Sequence, residues 1–272
     1  MELGSLLRGG SGVLKRTVKT ATRRLGLFPV ARHLYRRFDP DVRRARASDR
    51  VFFARIIRPG DLVFDIGANL GQKSEVFLAC GAKVVAVEPN PMCAPSLRFE
   101  FARARDFTLV EKAIGATIGR ARLNVVGTDS TASVRDDWRW LTEDGALKAS
   151  AVDVDMTTLD ALIAEYGAPA YCKIDVEGFE LDVLKGLSRP TPDLISFEYH
   201  ASEKDRLIAC IDILAALAPI EINLIAMNGG DFLQDWAPPA EALNRIGADL
   251  PEVGDVFVRM KPETGGRASP KN

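Results

Sequence analysis

Cysteine and histidine are scarce in these 272 residues, and the motifs missing around them narrow the chemistry. Four cysteines, Cys80, Cys93, Cys172 and Cys210, lie far apart and form no CxxC pair. That spacing argues against a zinc knuckle or a disulfide framework and fits reduced thiols in a cytoplasm. The N-terminus has scattered arginines and no continuous apolar run before a small-residue cleavage site, so export is not expected. The most apolar later stretch, Leu207 to Ile220, holds Asp212 and Pro219 and is too short to span a bilayer. No G-x-S-x-G follows a candidate strand, which disfavours a Ser-His-Asp hydrolase. No Asn-Pro-Pro-Tyr-like motif is present and one arm holds the excess of basic residues, so no nucleic-acid partner is expected.

What is present is the composition of a soluble globular protein, with 47% apolar and 27% charged residues. The net charge of -1 hides an asymmetry. Residues 1 to 60 carry 15 Lys and Arg against 4 acids, a net +11, and the remainder carries 21 against 33, a net -12. Such an arm suits an acidic partner, nucleic acid or an anionic membrane, or is simply a set of solvated helix faces. Within it, Leu14, Val18, Ala21 and Leu25 fall at helical spacing, Val30, Leu34 and Phe38 repeat every four residues, and Phe52, Phe53, Ile56 and Ile57 close a third segment. These stripes predict three short helices packing over the ligand cleft and shaping the substrate pocket, with their arginines facing solvent or an anionic substrate group.

From Pro59-Gly60 onward, short apolar runs alternate with helical stretches, the pattern of βαβ units and a mostly parallel sheet buried on both faces. Seven strands are expected at Leu62 to Asp65, Lys83 to Val87, Phe107 to Val110, Tyr171 to Ile174, Leu194 to Phe197, Glu221 to Ala226 and Val256 to Arg259. Helices are expected at Leu70 to Cys80, Pro91 to Arg105, Thr158 to Tyr166, Phe179 to Leu187 and Ser202 to Ala218, the last opened by a Ser202-x-x-Asp205 capping box. Residues 115 to 156 break the alternation and read as an insertion beside the substrate side, with strands at Arg120 to Val126 and Ser150 to Asp155 around a polar loop at Thr128 to Asp144. The expected organisation is a basic helical arm over residues 1 to 58, an α/β domain over 59 to 262 and a disordered tail over 263 to 272.

The strongest local signal is Asp61-Leu-Val-Phe-Asp65-Ile-Gly67-Ala-Asn69-Leu-Gly71, a strand running through a glycine turn into a helix. Glycines at 67 and 71 would let the backbone approach a ligand, and Asp65 ends its strand at the edge where open α/β sheets bind nucleotide-like cofactors. Asn69 stands where GxGxxG would need glycine, which disfavours NAD and FAD. Seventeen residues after Gly71, Glu88-Pro89-Asn90 places a carboxylate where it can accept from both hydroxyls of a ribose.

At these residues the chain resembles class I S-adenosylmethionine-dependent methyltransferases, and later segments narrow the resemblance to the FkbM-type methyltransferase family. The matching segments are Pro59 to Gly71, Val87 to Asn90, Thr157-Thr158-Leu159-Asp160, Lys173-Ile-Asp175-Val-Glu177-Gly178-Phe-Glu180, Val183-Leu-Lys-Gly186 and Phe197-Glu198-Tyr-His200. The resemblance implies a Rossmann-like seven-stranded sheet, S-adenosylmethionine as methyl donor, and O-methylation of a small molecule such as a sugar or natural product. By position it implies Asp65, Gly67, Asn69 and Gly71 as the cofactor loop, Glu88 at the ribose, and Glu111 or Lys112 near the adenine.

Methyl transfer to an alcohol requires exclusion of water, alignment of the acceptor oxygen and a base. If still extended, Asp175 and Glu177 share one face pointing at the sulfonium, and Glu198 and His200 repeat that spacing one strand later. His200 is a candidate base, with Glu198 or Asp175 orienting it, or a plain strand-end residue. The same four groups offer the alternative of a divalent cation site such as Mg²⁺. A cofactor-binding protein that has lost transfer is the non-catalytic alternative.

Overall fold

The computed structural model describes residue 22 and residues 25–126, 132–135, 149–226, 230–246 and 250–261. Two arm helices come first, α1 (Phe28–Phe38) and α2 (Pro40–Phe53). Pro40 opens α2 at a position that needs no N–H, and Asp39 caps it by accepting from the amides of Asp41 and Val42 at 2.9 and 3.2 Å.

The body is a seven-stranded sheet built from β1 (Leu62–Ile66), β2 (Lys83–Val87), β3 (Phe107–Val110), β8 (Tyr171–Ile174), β9 (Leu194–His200), β10 (Ile220–Ala226) and β11 (Val253–Met260). Its order is β10-β11-β9-β8-β1-β2-β3. Only β11 runs antiparallel to its neighbours. The strand order reverses at β1, which pairs in parallel with both β2 and β8, and a sheet of this kind opens a ligand crevice at the carboxyl ends of such strands.

The period-two alternation divides the core into two layers. Phe64, Ile66, Cys172, Ile174, Ile195 and Phe197 pack on one face, while Val63, Val84, Ala86, Tyr171 and Phe257 pack on the other. Phe52 and Phe53 of α2 enter the second layer as expected, edge-on to each other and to Phe257 and Phe77 respectively.

The helices of the body are α3 (Gln72–Ala79), α4 (Ala94–Glu100), α5 (Leu159–Tyr166), α6 (Glu180–Lys185), α7 (Lys204–Leu217) and α8 (Pro239–Ile246). The helix expected over Pro91 to Arg105 is only the seven residues of α4, because its first turn is set late by Pro95. Ser202 does not cap α7. It lies in a 3₁₀ turn, Ala201–Glu203, and the helix that follows has no side-chain cap. Neither α8 nor the two-residue strand β4 (Ala113–Ile114) was expected from the pattern.

The insertion forms a second sheet of order β4-β7-β5-β6, with β5 (Gly119–Val126), β6 (Ala132–Ser133) and β7 (Ala149–Thr157). The expected pair of extra strands is the long antiparallel ladder of β5 and β7. Much of the polar loop, the stripe before Leu25 and the tail from 263 lie outside the described residues.

The arm corrects one expectation sharply. Leu25, Val30, Leu34 and Phe38 are exposed, and the buried residues of α1 are Arg32 and Arg36. The body supplies the reason. Arg36 is ion-paired with Glu75 of α3 and donates to the Leu70 carbonyl at 3.4 Å, and His33 meets Glu100 of α4 at 3.2 Å. Burial, aided by the charge of Arg36, lowers the Arg32 guanidinium to about 10. Acidic groups on the body draw the cations of α1 inward, and its apolar stripe is left outside.

Candidate active site

A cleft opens at the carboxyl ends of β1, β2 and β8, the edge where open α/β sheets bind their ligands. One wall carries Gly67, Asn69, Glu88, Pro89 and Lys112, and the other Asp175, Val176 and Glu177. Leu123, Ala132, Ser133 and Val134 of the inserted sheet roof it. The insertion therefore covers the cleft on the substrate side where it was expected, whereas no described residue of the arm is among those lining it.

The first wall is made locally. The amides of Gly67 and Ala68 donate to the Val87 carbonyl at 2.9 and 3.1 Å, tying the turn after β1 to the end of β2. Asn69 then takes a left-handed φ of 53°, a conformation that asparagine tolerates. This turns its amide onto Glu88 Oε2 at 2.7 Å, while the Asn90 amide reaches Glu88 Oε1 at 2.8 Å. Burial pushes the Glu88 carboxyl up to about 7 against the pull of those two amides.

The glycines serve a different purpose from the one the sequence suggested. A Cβ on Gly67 would sit 1.7 Å from the Asp175 carbonyl oxygen, so this glycine lets the β1 and β8 loops touch. A Cβ on Gly71 would sit 2.5 Å from the Phe101 ring, so that glycine admits the packing of α4. Gly71 is not among the residues lining the cleft, nor is Asp65, which lies fully buried beneath the loop. Asp65 Oδ2 accepts from Ser74 Oγ at 2.6 Å, and its Oδ1 has no hydrogen-bond partner among the described residues. Burial raises its pKa, partly offset by Lys173. Of the two residues expected after β3, Lys112 lines the cleft, whereas Glu111 is exposed and ion-paired with Arg98.

The second wall is assembled from distant segments. β8 ends at Ile174, so Asp175 and Glu177 do not share an extended face as expected. Glu177 instead has φ 56°, a left-handed conformation that a glutamate adopts only at a cost. Its neighbours over-determine it. The Glu180 carboxylate accepts from the amides of Val176 and Gly178 at 3.2 and 3.0 Å. Ser133 Oγ donates to the Glu177 carbonyl at 2.9 Å, and Arg206 donates to the Gly178 carbonyl at 2.6 Å. Arg135 bridges the same Gly178 carbonyl and Glu203, at 3.4 and 3.0 Å.

Electrostatically this wall is strained. Lys173 is buried and meets Asp175 at 2.7 Å. Burial alone would lower the lysine, but Asp175 and Asp65 outweigh it and hold the ammonium above its ordinary value. Burial, reinforced by Asp175 and Glu198, pushes Glu177 up to about 8. Burial likewise raises Glu180 to about 7 and Asp255 to about 6. Glu198 and His200 lie on β9 with Nε2 3.5 Å from Oε2, and neither is among the residues lining the cleft. Among the described residues no three His, Cys, Asp or Glu side chains form a set that could hold a metal ion, so the four groups considered for Mg²⁺ do not converge as ligands.

The residues present fit the donor implied by the sequence. Each oxygen of Glu88 receives one backbone amide and keeps a second lone-pair site, which leaves two acceptors for the two hydroxyls of a ribose. Asp175, ion-paired with Lys173 in the cleft wall, adds a carboxylate of the kind that suits a cationic donor. Sequence reasoning passed over Ser133, Arg135, Glu203 and Arg206. Glu180, two residues beyond the Gly178 turn, was visible in the motif without a role.

Residues 65–218 match the methyltransferase FkbM domain, more than half of the chain. Ribosomal RNA large subunit methyltransferase E of Archaeoglobus fulgidus is 38% identical over 89 residues, covering 31% of this chain and 43% of that protein. The chain thus spans under half the length of that relative. Precorrin-6y C5,15-methyltransferase from Geobacter metallireducens aligns over 82% of this chain and 90% of its own, at 14% identity and a TM-score of 0.42. Fibrillarin from Aeropyrum pernix with bound S-adenosyl-L-methionine aligns over 75% of this chain and 68% of its own, at 11% identity and a TM-score of 0.40. On the strength of the domain match, the chain belongs to the FkbM methyltransferase family.

Proposed function

We propose that the protein methylates a hydroxyl oxygen of a small molecule, a sugar or a natural product, and that Glu177 removes the hydroxyl proton. The carrying observation is Glu177 itself, a carboxylate in the cleft wall, held in left-handed backbone and raised to about 8. A base with a pKa near the working pH combines a useful deprotonated fraction with real proton affinity.

S-adenosylmethionine, when bound, supplies an electrophilic methyl group on a positively charged sulfur. Glu88 holds the donor's ribose through its two free acceptor sites. Asp175, anchored by Lys173, faces the cation. Leu123, Ala132 and Val134 roof the cleft with apolar groups that exclude water around the acceptor. Glu198 acts from behind this wall, its charge raising Glu177, with His200 beside it at 3.5 Å. The acceptor oxygen would give its proton to Glu177 and take the methyl group, whose bond to the donor's sulfur would break with the electron pair remaining on sulfur.

The lining favours a neutral acceptor. Lys112 is the one cation among the described lining residues, too few to hold a phosphodiester backbone. Among the described residues no helix is long and apolar enough to cross a membrane, and the four cysteines are free thiols, which supports the cytoplasm as the place of action.

The test is transfer of an isotopically labelled methyl group to a panel of sugars and polyketide alcohols, with RNA as a parallel acceptor. Label on a small-molecule hydroxyl supports the reading. Label on RNA alone, or donor binding without transfer to any acceptor, overturns it.

A further inference from the structure

The outer face of α1 has no evident use in the monomer. Leu27, Val30, Leu34 and Phe38 are 53, 41, 46 and 69% exposed, and their spacing of three, four and four residues sets them along one stripe of the helix. Leu25, just before α1, is exposed as well. An ordinary soluble helix would turn this stripe to the core and its arginines to water. Here Arg32 and Arg36 are the buried residues of the helix, and Arg36 is held by Glu75 and by the Leu70 carbonyl beside α4. The helix is fixed with its apolar side out, and a stripe of this extent on a monomer marks an interaction surface.

Charge identifies the partner. Arg37 lies within the exposed stripe, and Arg43 and Arg44 are exposed on the next helix. By sequence, residues 1 to 24 add six further cations against the single acid Glu2. A helix with apolar residues on one side and arginines along and beside it suits the boundary of an anionic bilayer, where burial of the apolar residues and attraction to headgroups act together. The rest of the chain, at net -12, is repelled by the same surface and orients the arm toward it. RNA would instead call for a row of outward cations, whereas Arg32 and Arg36 of α1 are buried and only Arg37 of its arginines is exposed beside Val30, Leu34, Tyr35 and Phe38.

We infer that α1 and the basic segment around it dock the protein on an anionic lipid surface, lying in the interface without spanning it.

Co-sedimentation of the full chain with phosphatidylcholine vesicles, with and without about one third phosphatidylglycerol, tests this directly. The expected result is binding at least ten times tighter to the anionic vesicles. The double substitution Leu34→Asp with Phe38→Asp should weaken it at least tenfold, and Leu34→Ser with Phe38→Ser should weaken it by less. Both pairs replace exposed side chains, so circular dichroism and donor affinity should match the parent. Equal partitioning of parent and Asp variant, or no preference for anionic vesicles, overturns the inference. So does a dimer in sedimentation velocity that the Asp pair dissociates while vesicle binding stays absent, because the stripe would then be a self-interface. RNA binding that the Asp pair abolishes, with no vesicle binding, also overturns it.

Discussion

Asn69 and Glu177 stand on opposite walls of the cleft, and among the described residues they are the two non-glycine positions with left-handed backbone. What holds each of them differs. Asn69 is a residue that tolerates the conformation, and its amide is fixed by Glu88, 19 positions away across one βα unit. Glu177 has no such tolerance and is fixed by Ser133 of the insertion, 44 positions away, and by Glu180, which binds the amides on either side of it. The donor wall is therefore a product of local chain geometry. The acceptor wall is imposed by tertiary structure and stores strain where chemistry is needed.

Breaking the comparison at Glu177 should have the largest effect. Glu177→Gln removes the base without changing shape, and kcat should fall by about 10² to 10⁴. Donor Kd should stay within a few-fold, because Glu88 on the other wall is untouched. Steady-state kinetics beside calorimetry separates the two quantities.

The reciprocal change is Glu88→Ala. It removes two charge-assisted acceptors worth about 1.5 to 3 kcal/mol each, so donor affinity should drop roughly a hundredfold or more. Calorimetric titration with the donor or its demethylated product measures this, and an unchanged Kd would remove Glu88 from the ribose.

Backbone strain sharpens the contrast at a smaller scale. Glu177→Gly relieves a left-handed cost of about 1 to 2 kcal/mol, offset in part by the added freedom of the unfolded chain. It should raise the Tm by about 2 to 4 °C while abolishing turnover. Asn69→Gly should move stability by less than about 0.5 kcal/mol in either direction. Thermal unfolding of the two variants in one buffer gives both values.

The smallest effect is the slope of stability with pH. Glu88, Glu177, Glu180 and Asp255 all titrate above their ordinary values in the fold, at about 7, 8, 7 and 6. Between the unfolded carboxylate range and those values the native state binds more protons than the unfolded state, so stability falls as pH rises. The Tm should decline from pH 5 toward pH 8, and Glu177→Gln should flatten the last part of that decline.

The same division accounts for how much could be read from sequence. The order of βα units and the strands that end at Ile66 and Val87 follow from short-range patterns, since hydrophobic periodicity and turn residues act within one unit. Position alone could not choose between Glu111 and Lys112, because a step of one residue changes the face and only packing decides which side meets the cleft. Gly67 and Gly71 were visible as glycines, but their cause, the close approach of Asp175 and Phe101, lies in contacts that no local pattern encodes. Ser133 and Arg135 sit in a polar segment without periodicity and become meaningful only when β6 is laid over Glu177 and Gly178. The inverted α1 was illegible for a related reason. Its stripe is a true amphipathic pattern, and the ion pairs that reverse its orientation involve Glu75 and Glu100 of the body.

The claim on which the account rests is that Glu177 is the base of the acceptor wall. The pH dependence of kcat for methyl transfer tests it most directly, measured on the parent and on Glu177→Gln at saturating donor and acceptor. The parent rate should rise with pH and level off through an inflection near 8, where burial and its carboxylate neighbours place Glu177. The variant should bind donor normally, turn over slowly and lack that inflection. An inflection of the same size and position in Glu177→Gln, or a variant rate equal to the parent's, would contradict the claim and return the search for the base to His200 and Asp175.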